Sequence, residues 1–547
     1  MSHPVRSPRS TRPRVVVTTA GLIGLLLLSS CRIPDLCCAD RGQTLPTNFN
    51  GVTTSDNSAC VGFDEFFQDP ILVSLIAEGL RGNQELKILW QEVQIANNEV
   101  LKRRGAIFPF VTLGTRASLD KPSRFTRNGA VESQLNVAPG RGFPDPLPNF
   151  LVAADLTWEV DIWRALRNAR DAACLRYLAT NDGRNYIVTR LVSEIAGNYY
   201  TLMALDKRLE ILDATISLQE QSLEIAIAKK EAARGTELAV QRFQAEVRKN
   251  QSEKLIVKQE IIETENRINF LLGRYPQPVP RTDANYLNLN MHSLAVGVPA
   301  QLLRNRPDVV KAERQVAAAG LDVEVARAAF YPRLTLTGGV GFEAFNPRYL
   351  VRTPDSIVAG IAGDLLVPVI NRSAIEADYR SANAMQLQEI YDYQRTLLNA
   401  FTEVVNSLTK VQNYSDSIAI KKEQLTSLEA SVDNASRLFQ NARAEYIEVL
   451  FAQRDLMEAR LAILDTKKEQ LVAIVDAYQA LGGGLYQHSN YVETVLPTEP
   501  PGEPASDQAV PPLVPPQPPA APDAPMPTPA APAQDNPAPA PAPAMDE

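Results

Sequence analysis

The chain has 547 residues, 40 of them proline, and a formal net charge of −8 from 55 Lys and Arg against 63 Asp and Glu. Of its 3 histidines only His292 and His488 lie beyond the first thirty residues, which nearly excludes a histidine-based triad or a multi-histidine metal centre. The one basic cluster is N-terminal, and no basic patch with interleaved aromatic residues points to nucleic acid.

Residues 1–30 read as a targeting segment. Arg6, Arg9, Arg12 and Arg14 precede an apolar run from Val15 to Leu28, then small residues and Cys31. That is the layout of a secretory signal, not of a mature membrane helix. Leu28-Ser29-Ser30-Cys31 resembles a bacterial lipobox, which implies lipidation of Cys31 as the first mature residue. The alternative is an ordinary signal peptide with Cys31 incidental. Arg32, where an Asp would favour retention in the inner membrane, fits sorting to the outer one. No other apolar stretch reaches the about 20 residues of a spanning helix. Cys37, Cys38, Cys60 and Cys174 are open to a local disulfide or to free thiols, and their spacing is not that of a metal site.

Residues 31–69 form an extended lead-in. A first unit, 70–274, begins with a helix from Pro70 to Arg104 whose seam is Leu86, Leu89, Val93, Ala96 and Val100. Strands follow at about 108–119 and 150–158, separated by a Pro/Gly-rich loop from Lys121 to Asn149. Long helices cover about 161–272, with an interruption expected near Asn181-Asp182-Gly183 and a break at Gly235. A Pro-rich linker, 275–302, leads to the second unit, 303–486. There Arg306-Pro307-Asp308 starts a helix, with Pro307 in the first helical position and Asp308 at the positive end. Val309, Ala312, Val316, Ala319, Val323, Ala326 and Phe330 form its heptad seam. Beyond Pro332 the period changes to two, with Leu334, Leu336, Val340 and Phe342 on one face of a strand at about 333–342. A further strand falls at 357–367 and long helices at 372–481. The last carries the seam Ile447, Leu450, Met457, Leu461, Leu464, Leu471, Val475 and Tyr478, and ends at Gly482-Gly483-Gly484. Residues 487–547 hold nearly half of the 40 prolines with no Lys or Arg, the composition of a disordered or polyproline-like tail.

The two units are one unit duplicated. Leu80-Arg81 matches Leu303-Arg304 and Phe108-Pro109 matches Tyr331-Pro332 at an offset of 223; Asp155-Leu156 matches Asp364-Leu365, Arg234 matches Arg443 and Leu272-Gly273 matches Leu481-Gly482 at 209. The change of offset falls in the longer loop of the first copy. Four strands of about ten residues have the length that crosses a tilted path through a bilayer, yet cannot close a barrel within one chain. Open edges do not persist in lipid, so several chains must share one barrel. Continued by heptad helices, such a barrel is a conduit.

Five segments occur in order on this frame: Phe66-Phe67-Gln68-Asp69-Pro70, Leu302 to Val309, Ala329 to Leu334, Ala400-Phe401-Thr402-Glu403-Val404 and Ala480-Leu481-Gly482-Gly483-Gly484. Together they resemble the outer membrane factor family of TolC- and OprM-like efflux channels, in its lipoprotein, NodT-type branch, over about residues 45–486. The resemblance implies a mainly α fold with a transmembrane β part: a homotrimer with a twelve-stranded β-barrel in the outer membrane, continued by a periplasmic α-helical barrel. It further implies docking to a periplasmic adaptor (membrane fusion protein) and an inner-membrane pump, passive passage of small molecules, and no enzymatic activity, cofactor or metal. The turns Arg234-Gly235-Thr236-Glu237 and Arg443-Ala444-Glu445-Tyr446 align with the family's adaptor-facing tips; taken singly, each residue fits a solvated hairpin better than a contact, and it is the pair of loops together that favours docking. OprM-type relatives carry a leucine and, four residues on, an aspartate before Ala-Gln-Arg. Ile447 matches the leucine, but Phe451 replaces the aspartate before Ala452-Gln453-Arg454, so no carboxylate ring carries over. Ile447 and Phe451 are candidates for a periplasmic gate closed by apolar contact and dewetting, or for seam packing on neighbouring helices. Glu448 and Asp455 are nearby acids suited to cations. Two competing expectations are a channel for type I protein secretion and a periplasmic coiled-coil scaffold that conducts nothing.

Overall fold

The computed structural model describes residues 33–484, apart from 41, 52–53, 55, 283–285, 290–293, 369–371 and 442. The targeting segment with Cys31, and the proline-rich tail, lie outside the described residues.

Asp69 opens the first half. Its carboxylate accepts the Ile71 and Leu72 N–H groups at 2.9 and 3.4 Å, and Pro70 takes the first position of helix α1 (Pro70–Gly82). The single helix expected over 70–104 is two. Asn83 leaves helical geometry (ψ 128°), and its carboxamide caps α2 (Gln84–Gly105) by accepting Leu86 N–H at 3.1 Å. The same side chain donates to Leu271 O at 2.8 Å, so both ends of the carboxamide are hydrogen-bonded at the break. Strands β1 (Phe110–Asp120) and β2 (Leu147–Val160) follow, then α3 (Ala165–Glu231) and α4 (Glu237–Leu272). The loop between the strands has structure of its own: a short helix, Arg127–Glu132, and a hairpin pairing Asn136–Ala138 with Arg141–Gly142.

The second half repeats the order as α5 (Pro307–Ala328), β3 (Arg333–Ala344), β4 (Ile357–Leu366), α6 (Ser373–Gln440) and α7 (Tyr446–Ala480). Helices α3 and α6 have 67 and 68 residues, about 100 Å each at 1.5 Å per residue. The interruption expected near Asn181-Asp182-Gly183 does not occur; α3 runs through it. Asp182 is buried and pairs with Arg314 of α5 at 2.7 Å. Gly183 leaves room for Lys311, whose side chain would lie 3.3 Å from an added Cβ. Residues that read locally as a turn serve helix-to-helix packing. Val309, Ala312, Ala319, Val323 and Phe330 of the α5 seam are buried, and the main core joins α1, α3, α4 and α7 around Phe66, Tyr199, Leu272 and Tyr478. Among the described residues no helix is long and apolar enough to cross a membrane.

The four strands form one antiparallel sheet in the order β1-β2-β3-β4. Its register sorts the side chains, since directly opposed residues share a face. One face carries Val111, Leu113, Phe150, Val152, Leu156, Leu334, Leu336, Phe342, Ile361 and Leu365, and not one charge. Arg116, Asp120, Asp155, Glu159, Arg333, Glu343 and Asp364, all the charged residues of the strands, lie on the other. Where sheet meets helices, Trp158 Nε1 donates to Ile107 O at 3.0 Å and Trp163 Nε1 to Pro332 O at 2.8 Å, with Trp163 stacked on Tyr331.

Candidate functional site: the paired hairpin end

The two turns between long helices have the same backbone plan. Arg234 N–H donates to Lys229 O at 2.8 Å, and Arg443 N–H donates to Leu438 O at 2.9 Å, the same bond 209 residues on. Gly235 is not where the chain reverses hand. Ala233 takes the left-handed conformation (φ 54°), and Gly235 lets the chain pass close over the helix end, where an added Cβ would stand 3.0 Å from Lys230 N. Thr236 caps α4 through Ala239 N–H at 3.3 Å, whereas Glu445 begins α7 with no side-chain cap. Lys230 pairs with Glu237, and that hydrogen bond holds the Glu237 carboxyl below its ordinary range. Arg234, Gly235, Thr236, Glu237, Arg443 and Glu445 are exposed; Ala444 and Tyr446 are half-buried.

Behind the turns a small core, Ala226, Phe243, Phe439, Val449 and Leu450 with Tyr446 against it, joins the ends of α3, α4, α6 and α7. The two candidate docking turns therefore sit together at one end of the helical part. Lys229 crosses between the repeats: its Nζ donates to Phe439 O and lies 3.6 Å from the centre of the Phe439 ring. Burial lowers its pKa. Nothing local marks Lys229, because a lysine in the last turn of a helix is ordinary; only its partner on the other repeat gives it a role. A second tie, Gln453 Nε2 to Ser222 Oγ at 2.8 Å, is buried between α7 and α3.

Of the gate candidates, Phe451 is 48% exposed and Ile447 half-buried, so within one chain Phe451 is not part of the packed seam. Arg454 lies over the Phe451 ring, 4.9 Å from its centre, and is held by Asp455 at 3.2 Å and Glu458 at 3.7 Å. Glu448 is exposed beside them. Far from this end, Arg306 is buried in a network of its own. It pairs with Asp308 at 2.6 Å and Glu403 at 2.8 Å and donates to Ala480 O at 3.0 Å. Burial alone would lower its pKa, but the hydrogen bonds and charges of Asp308 and Glu403 outweigh that and raise it. Arg306-Pro307-Asp308 is thus helix-start architecture. Cys37, Cys38, Cys60 and Cys174 are free thiols.

The family profile described as outer membrane efflux protein matches residues 75–274 and 298–483. The chain is 27% identical over 445 residues to the cation efflux system protein CusC of Escherichia coli K12, covering 81% of this chain and 93% of that one. It is 27% identical over 474 residues to the toluene efflux pump outer membrane protein TtgI of Pseudomonas putida, covering 85% and 97%. The probable outer membrane lipoprotein SilC of Salmonella typhimurium is 25% identical over 445 residues, covering 81% and 92%. The solved structure of CusC superposes with a TM-score of 0.72 at 24% identity, covering 83% of this chain and 99% of that one. The open-state MtrE channel of Neisseria gonorrhoeae superposes at 0.71 with 20% identity, covering 83% and 98%. This chain belongs to the outer membrane efflux protein family and is an outer-membrane channel protein of efflux systems.

Proposed function

We propose that three copies of this chain close their sheets into one twelve-stranded barrel, a passive outer-membrane conduit for small molecules delivered by a periplasmic adaptor and an inner-membrane pump. The observation that carries this reading is the sorting of the sheet: all its charges lie on one face, none on the other, and β1 and β4 are open edges. An uncharged face of this size is stable against lipid, and open edges in lipid must find strands from other copies. The tryptophans at the sheet–helix junction suit the membrane–water interface. Exposed apolar residues on the helices, Ile88, Ile95, Leu255 and Phe270 in the first half and Leu398 and Ile420 in the second, offer surfaces for the same neighbours.

The lipid anchor on Cys31 fits this arrangement. Ile33, two residues on, and Leu36 pack on Val323, Phe330 and Tyr379, beside the start of β3. The paired turns at Arg234–Glu237 and Arg443–Tyr446 dock the adaptor, because they are the exposed end of the helical part and lie together. Ile447 and Phe451, brought round a threefold axis, narrow the conduit by apolar contact, with Glu448 beside them. Relatives named for cation and toluene efflux favour small-molecule passage over protein export.

The test is single-channel conductance of the detergent-purified protein in planar bilayers, with its trimeric mass checked by light scattering. Small conductance that rises in Phe451→Ala is expected. A well-folded protein that never inserts would leave the non-conducting scaffold instead.

A further inference from the structure

Helices α3, α4 and α7 leave a cleft of about 470 Å³ between them, a size that suits a small molecule. The linker between the repeats covers the other side of the same three helices. Tyr199 Oη of α3 accepts Thr282 N–H at 3.1 Å, Arg281 reaches Asp206 of α3 at 2.9 Å and Glu265 of α4 at 2.5 Å, and Lys467 of α7 donates to Leu289 O at 2.7 Å. The cleft is lined by residues two positions away from each of these anchors: Thr201, Arg208, Glu263, Arg267 and Asp465. Two positions are about 200° round a helix, so linker and cleft lie on opposite faces of the helical wall. The linker side continues into the N-terminal segment, where Ser58 N–H donates to Ala295 O at 2.8 Å and Phe49 stacks on Phe401 on the way back to Ile33. With the trimeric conduit and the Cys31 anchor proposed above, that side is the outer one and the cleft opens into the conduit.

Three cations and three acids line the cleft, yet form no ion pair with each other. Arg267 pairs with Glu194 at 2.8 Å, Lys468 with Glu469 at 3.4 Å and Arg208 with Glu253 at 3.3 Å, all partners outside it. Among the described residues the exposed Glu260 and Asp465 are in no ion pair, and Glu263 accepts Gln259 Nε2 at 3.0 Å. Arg208 Nε is shut off from water with no acceptor, a state that folded interiors rarely leave unanswered. Leu205 and Leu464 add apolar lining.

We propose that this cleft binds zwitterionic small solutes on their way through the conduit, a reading that rests on the trimeric conduit above for its place in the path. The ammonium group of the solute sits among Glu260, Glu263 and Asp465, its carboxylate accepts from Arg208 Nε, and the apolar atoms between them rest on Leu205 and Leu464. A solute with only one of the two charges leaves the other set unanswered and binds less tightly.

The experiment is isothermal titration of the detergent-solubilised full-length trimer with the dipeptide leucylglycine, a zwitterion, with its C-terminal amide, a cation, and with its N-acetyl form, an anion. The same probes are then added to the reconstituted channel. The expected result is saturable binding of the zwitterion, about ten-fold or more tighter than of either analogue. That advantage falls to the level of the cation in Arg208→Gln and to that of the anion in Glu260→Gln/Asp465→Asn, and channel current drops reversibly at the binding concentration. Should either variant fail to assemble, the three probes on wild type decide alone. Equal binding of cation and zwitterion, binding untouched by both variants, or no binding at all overturns the zwitterion site while leaving the conduit intact. Binding as expected with current through the conducting channel unaffected overturns the cleft's place in the path. A folded trimer with no conductance overturns the conduit reading and that place with it, while the titration still decides whether the cleft binds.

Discussion

Asn83 and Arg306 do the same work 223 residues apart. Asn83 Nδ2 donates to Leu271 O at 2.8 Å, and Arg306 donates to Ala480 O at 3.0 Å, each tying the start of a short helix to the last turn of a long hairpin. The glycines two residues past those carbonyls, Gly273 and Gly482, are pressed against the backbone of Gly82 and Asn305 in the same way. Arg306 adds two carboxylates that Asn83 lacks. Arg306→Ala therefore removes a buried cation from three acceptors at once and is expected to cost about 2–4 kcal/mol, against about 1–2 for Asn83→Ala. Thermal unfolding of the solubilised trimer reads both, and equal losses would show that Asp308 and Glu403 contribute nothing.

Gly273 and Gly482 sit at φ 74° and 96° with backbone in the way of any Cβ. Alanine at either should destabilise by at least about 1 kcal/mol, through left-handed strain and the clash together. Gly105, with nothing within 4 Å of an added Cβ, is the control, and Gly105→Ala should be close to neutral.

Lys229→Met keeps the length of the side chain and removes the cation over Phe439 and the donor to its carbonyl. The tie is worth about 1–2 kcal/mol in this half-buried setting. Loosening it should raise the open fraction of the channel in bilayers with little change in unfolding temperature. A lower unfolding temperature with unchanged conductance would make Lys229 structural only.

Phe451→Ala should raise conductance several-fold and cost under about 1 kcal/mol of stability, because the ring is half-exposed, with Arg454 lying over it. Combining it with Ile447→Ala should add a further increase. If neither changes conductance, the narrowing lies elsewhere in the helices.

Asp182 has a pH signature. Burial raises its pKa from 3.8 to about 6, and the nearby Arg314 only partly opposes this. Between those two values the folded chain holds a proton that the unfolded chain has released, so stability rises as pH falls through 6 and the gain is complete near 4. The contribution at pH 7 is therefore unfavourable, by at most about 3 kcal/mol. Asp182→Asn should lift stability at pH 7 and flatten the profile between pH 4 and 6; an identical slope in the variant would remove Asp182 from the account.

By itself the sequence determined whatever depends on neighbours along the chain. The change of period at Pro109 and Pro332 marks where helix gives way to strand, and the 209-residue offset relates Glu231 to Gln440 and Glu237 to Tyr446, the ends and starts of the long helices. These are legible because helical and extended periods, and glycine at a helix end, are local requirements of the backbone. Only the tertiary structure decided what needs a partner distant in sequence. Asn83 breaks a helix because Leu271 is there to receive its amide, and Asn181-Asp182-Gly183 does not break one because Arg314 and Lys311 pack against it. Lys229 becomes a tie between repeats because Phe439 lies within reach. Strand register, which no local period sets, put every charge of the sheet on one face. Each of these is a contact between segments many residues apart, and its free energy enters only when the chain has brought them together.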